Sequence, residues 1–214
     1  MSLLTITTNS NKSNHKKMET TSEVPTYIDF DVYLETEGEK ARTIYPDVHK
    51  NVALYDEEIY NIVINNKFSG RILADIRLSG VSIGKLMIPP NKCQKIERPI
   101  DPRLPARKLQ FIKFGGALAH ELSVKSNEVN CDEIQVVITP ENMKQPKPQI
   151  KTGLRVVYDG IQEKNSNRGC TILSATNSTQ EFTSCPSFET KGVFYFTLFL
   201  RAIEPRKAMR IEED

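Results

Sequence analysis

From Tyr27 the chain alternates: Ile28, Phe30, Val32 and Leu34 are separated by Asp29, Asp31 and Tyr33. A period of two places these apolar side chains on one face, so the pattern predicts a strand with one buried side. A polar link over 35–50 follows, and residues 59–64 read as a second strand that stops at the turn-forming pair Asn65-Asn66. In the next run Ile72, Ala74, Ile76 and Leu78 share a face, Ser79-Gly80 supplies a tight turn, and residues 81–88 return. Connections this short predict an antiparallel meander over 59–88, with Gly84 marking a bulge or a close approach.

Pro89-Pro90-Asn91 breaks that pattern, residues 93–98 offer a short strand, and the prolines from Pro99 to Pro105 force an extended loop. Residues 109–114 resume strand character. Gly115-Gly116 then opens 117–125, where Leu118, Leu122 and Lys125 fall at helical spacing and predict the one helix. Residues 134–139 form an apolar strand, and Pro140 to Pro148 is a surface connection and a candidate subdomain junction near 140–150. Beyond it, 152–158 alternates, Asp159-Gly160 marks a turn, and 169–175 and 181–184 are candidates for local pairing. Residues 192–203 are almost continuously apolar or aromatic, as expected of a central strand covered on both faces. The sum is an all-β chain, an antiparallel β-sandwich of jelly-roll type with one short helix.

Composition adds a boundary at each end of this body. Residues 1–24 are dominated by Ser, Thr, Asn and Lys, too polar to offset the entropy of ordering alone, and read as a flexible N-terminal arm. Residues 25–204 form the sandwich, and 205–214 a polar C-terminal tail. No apolar run reaches the roughly 18 residues that a membrane-crossing helix needs. The opening Met-Ser-Leu-Leu-Thr-Ile-Thr-Thr lacks the basic start and apolar middle of a secretory signal, so synthesis in the cytoplasm is expected. Cys93, Cys131, Cys170 and Cys185 lack the close spacing of a zinc knuckle and read as buried free thiols; a Cys170–Cys185 disulfide is the less favoured reading.

Charge changes the picture more than composition does. Residues 19–58 hold eleven acids and three bases, a net −8, whereas 85–113 hold eight bases and two acids, a net +6. Folding can bring these stretches together within one body, or they can meet between copies, because complementary fields steer encounter and fix register. The basic set Lys92, Lys95, Arg98, Arg103, Arg107 and Lys108 is the candidate interaction loop. Contact with nucleic-acid phosphates is its other use, although residues 85–108 contain no aromatic to stack a base.

Candidate chemistry is thin. His15, His49 and His120 are the only histidines, and His120 beside Glu121 on the predicted helix lacks the sequence context of a nucleophile. Asp29 and Asp31 share a strand face and are more simply the outer row of an amphipathic strand than paired carboxylates or metal ligands. No phosphate-binding loop or dinucleotide fingerprint occurs. No catalytic residue, metal or cofactor is assigned.

The block Tyr60-Asn61-Ile62-Val63-Ile64-Asn65-Asn66, then Arg71-Ile72 to Leu78-Ser79-Gly80, Ile83-Gly84, Lys95-Ile96-Glu97-Arg98-Pro99 and residues 109–114, carries a resemblance. It resembles a β-sandwich module of capsid-associated proteins of large double-stranded DNA viruses, over 59–141, with 132–141 as the closing strand. The resemblance implies a structural component of a virus particle, of the penton or minor capsid kind. It would be made in host cytoplasm, reside in the virion, and assemble with other capsid proteins and copies of itself as a homo-oligomer. It transfers no catalytic residue.

Overall fold

A computed structural model describes residues 29–44, 50–124, 131–142 and 167–204. The arm over 1–24, the strand foreseen over 152–158 with its turn, most of the candidate junction, the tail over 205–214, His15 and His49 lie outside the described residues.

Twelve strands build two sheets: β1 (Phe30–Thr36), β2 (Glu39–Lys40), β3 (Thr43–Ile44), β4 (Lys50–Leu54), β5 (Ile59–Asn66), β6 (Ile72–Leu78), β7 (Val81–Ile88), β8 (Lys92–Ile96), β9 (Arg107–Lys113), β10 (Glu133–Pro140), β11 (Gly169–Asn177) and β12 (Phe194–Ala202). One sheet runs β11-β9-β5-β1-β2, with β8 also on β5; the other runs β3-β4-β12-β10-β6-β7. The all-β sandwich with one short helix is therefore what the alternation predicts. A jelly roll is built from antiparallel strands, and the parallel pair β12–β4 departs from that pattern.

The core lies between the sheets because each strand turns its apolar row inward. Val32, Leu34, Tyr60, Ile62 and Ile64 come from one sheet and Ile72, Ile76, Ile88, Val136, Ile138, Leu198 and Leu200 from the other, all withdrawn from solvent. Each large side chain buried here contributes about 1.5–3 kcal/mol. Phe30 sits at the seam, its ring edge-on to Phe194 at 5.1 Å, to Phe68 at 6.3 Å and to Phe196 at 6.5 Å.

The meander expected over 59–88 does not form. β5 pairs with β1, β8 and β9, whereas β6 pairs with β7 and β10 in the opposite sheet. The physical reason is Asn66, fully buried at the end of β5. Its Nδ2 donates to the carbonyls of Gly70 (3.0 Å), Pro89 (2.9 Å) and Ile88 (3.3 Å), and its Oδ1 accepts from Phe68 N–H (3.0 Å). These bonds replace the ladder of a hairpin and carry the chain across the core, so only β6–β7 remains a hairpin.

Other expectations change in detail. The polar link contains β2, β3 and the start of β4, whose apolar signal is confined to Val52-Ala53-Leu54. β12 lies between β10 and β4 but is covered on one face only, with Leu198, Leu200 and Ala202 inward and Tyr195 57% exposed. Residues 181–184 form no strand. The helix α1 is five residues, Ala117–Glu121, packing Ala119 with Ile112, Phe114, Cys131 and Cys170 in a second small core. None of the four cysteines forms a disulfide; Cys131 and Cys170 are buried as foreseen, and Cys93 and Cys185 are exposed. No helix among the described residues is long and apolar enough to cross a membrane.

Candidate interaction surface

Folding divides the six basic residues. Lys95 forms an ion pair with Glu35 across the sheet, which pushes its ammonium pKa up through that hydrogen bond. Arg103 grips Asp101 at 2.6 Å and holds that carboxyl down at about 2. Arg98 donates to the Gln180 carbonyl at 2.7 Å and lies over the Phe182 ring at 4.9 Å. Lys92, Arg107 and Lys108 have no ion-pair partner among the described residues. They do not form one cluster: Lys92 faces Asn66 and Leu109 faces Tyr60, six positions along β5 or about 20 Å apart. The Lys95–Glu35 pair also shows where part of the charge segregation goes, since the acidic and basic stretches meet within one sheet.

The strand that carries Lys92 and Lys95 has a neighbouring strand on one side only among the described residues. β8 pairs with β5 from Ile96↔Ile62 to Lys92↔Asn66, and no strand lies beyond it among the described residues. Its far side is met by the segment that follows β11. Ser178 N–H donates to the Ala106 carbonyl, and Ser178 Oγ accepts from Gln180 N–H at 3.1 Å, which sets the Gln180 side chain against β8. There Gln180 Oε1 accepts from Glu97 N–H at 3.0 Å and Gln180 Nε2 donates to the Lys95 carbonyl at 2.6 Å. Successive backbone groups of a strand alternate sides. The Cys93 carbonyl and Lys95 N–H therefore face the same free side, where no described residue bonds them. Cys93 and Lys95 are exposed.

The corresponding edge of the other sheet is built differently. Ile100 and Asp101 N–H both donate to the Ile83 carbonyl, at 2.8 and 2.9 Å, so main chain lies against β7. Gly84, at φ +124°, permits this approach: a Cβ there would stand 2.7 Å from Asp101 N and from Ile100 Cβ. The close-approach role read for Gly84 is thus explicit, along with a register shift between Ile76 and Arg77 on the paired strand.

The deepest charged group is Asp132, 3% exposed. Burial alone would raise its carboxyl, but Arg168 (2.5 and 2.9 Å) and Arg201 (2.5 Å) donate to it and hold it below the ordinary range. Neighbouring Glu133 is pushed up by burial and by the Asp132 charge. The arrangement ties the starts of β10 and β11 to the end of β12, a structural knot that charge patterning alone did not reveal. His120 and Glu121 are exposed and share no hydrogen bond or ion pair. Asp31 pairs with Lys40 at 3.7 Å on the outer row. No group of three or more metal-ligating side chains occurs among the described residues.

Compared with protein-family models, curated proteins and solved structures, the chain matches none.

Proposed function

We propose that this chain is a structural protein that works by protein–protein assembly, a virion component of the penton or minor capsid type. The observation that carries the reading is a β-sandwich whose β8 edge keeps backbone donors and acceptors unfilled by any described residue. Exposed Tyr195 on the outer row of β12, with exposed Val193 just before that strand, adds apolar surface suited to a neighbour. The sequence resemblance over 59–141 supplies the viral setting, with assembly among copies and other capsid proteins.

Light scattering after gel filtration of the full-length chain, at low and high salt, tests this reading. A defined oligomer that loses copies as salt rises is the expected result, because segregated charge would steer the contact. A monomer at every salt and concentration would contradict self-assembly. Nucleic-acid contact is the second reading, favoured by the adjacent Arg107 and Lys108 without acidic partners among the described residues. It requires oligonucleotide binding that weakens steeply with salt and is lost when both are neutralised.

A further inference from the structure

The two hydrogen bonds of the Gln180 side chain have a specific geometry. A residue in a parallel strand donates its N–H to the carbonyl before its opposite residue and accepts from the N–H after it. Gln180 does this around Ile96, donating to Lys95 and accepting from Glu97. Its carboxamide offers one N–H donor and one carbonyl acceptor on the same side, as a residue of a parallel strand does, and so fills one rung of a parallel ladder. Among the described residues, nothing bonds the next rung, the Cys93 carbonyl with Lys95 N–H around Gln94, or the Asn91 carbonyl with Cys93 N–H around Lys92.

We propose that the free edge of β8 is a docking site for one extended peptide segment of a partner protein. That segment adds as a parallel strand and displaces the Gln180 side chain. The partner's chemistry follows from charge. Lys92 stands exposed at the start of β8, and exposed Lys67 follows Asn66, the residue facing Lys92 on β5; neither has an acidic partner among the described residues. The segment therefore carries a carboxylate near its N-terminal end, beside Lys92, followed by uncharged strand-forming residues. Main-chain bonds supply affinity and the lysines set direction. Gln180 guards the edge while it is empty, as exposed edges require.

This inference rests on the assembly reading, and the experiment separates the two. The probe is a capped heptapeptide, Asp-Thr-Val-Thr-Val-Thr-Val, titrated into isotope-labelled full-length protein and followed through backbone amide signals. Saturable shifts at Cys93 and Lys95 are expected. Gln180→Ala is expected to bind about tenfold more tightly, since two competing hydrogen bonds are gone. Cys93→Pro, which removes an outward N–H and no bond to β5, is expected to abolish binding while the fold persists. A purely structural Gln180 would lose stability on substitution without gaining affinity. Absence of shifts in Gln180→Ala, or unchanged binding in Cys93→Pro, would overturn the site. Equal binding of a peptide with Lys in place of Asp would overturn the acidic partner. An oligomer formed by a protein that shows no peptide shifts, even as Gln180→Ala, defeats the edge alone, whereas peptide binding by a chain monomeric at every salt defeats self-assembly alone.

Discussion

At the free side of β7 main chain bonds the Ile83 carbonyl, whereas at the free side of β8 the bonds come from a single side chain. At β7, Ile100 and Asp101 both bond the Ile83 carbonyl, and Gly84 yields the space for them. At β8, Gln180 makes two bonds and leaves two rungs without a partner among the described residues. Opening the first requires moving a loop, whereas opening the second requires one rotamer change.

The largest way to break this contrast is at Gly84. Gly84→Val puts a branched side chain where a Cβ already stands 2.7 Å from two atoms, at a φ of +124°. A loss of about 3 to 4 kcal/mol in denaturant unfolding is expected. Asp132→Ala removes the carboxylate that Arg168 and Arg201 share and is expected to cost about 3 kcal/mol. The sign with pH is fixed by the depressed carboxyl of Asp132. Its stabilisation is complete above the unfolded pKa, about 4, and is lost as pH falls through the lower folded value. Glu133, raised in the fold, works the other way: its protonation stabilises the fold as pH falls. Glu133→Gln should therefore raise the Tm at pH 7, with the gain shrinking at acid pH.

Gln180→Ala is the sharper test of the comparison, because only about 1 kcal/mol of stability should be lost. The smallest effect belongs to Arg103→Ala. The Asp101 carboxyl should return from about 2 towards the ordinary value near ~4 in an NMR titration, with the Tm unmoved.

How much of this was legible in the sequence depends on the range of the interaction. β1, β6 and β10 announce themselves because alternation records burial within a single strand. Partnership between strands is not recorded that way. Asn65-Asn66 reads as a hairpin turn, yet Asn66 bonds carbonyls up to 23 positions away and sends the chain into the other sheet. β4 was hidden because Lys50 and Asn51 lend it a polar start. Of the candidate basic set, Lys92 and Lys95 do lie at the β8 edge, and Arg98 and Arg103 are engaged by Gln180 and Asp101. Gln180 could not be found from sequence. Its role is defined by backbone groups of Lys95 and Glu97, which no side-chain pattern encodes.

Native-state hydrogen exchange, resolved by residue, tests the central contrast most directly. The account predicts that Ile100 and Asp101 N–H, bonded to main chain, exchange at least about 100-fold more slowly than Glu97 N–H, which Gln180 alone covers. Equal protection at all three would show that the β8 edge is closed as firmly as β7, and would contradict the claim that it is held open for a partner.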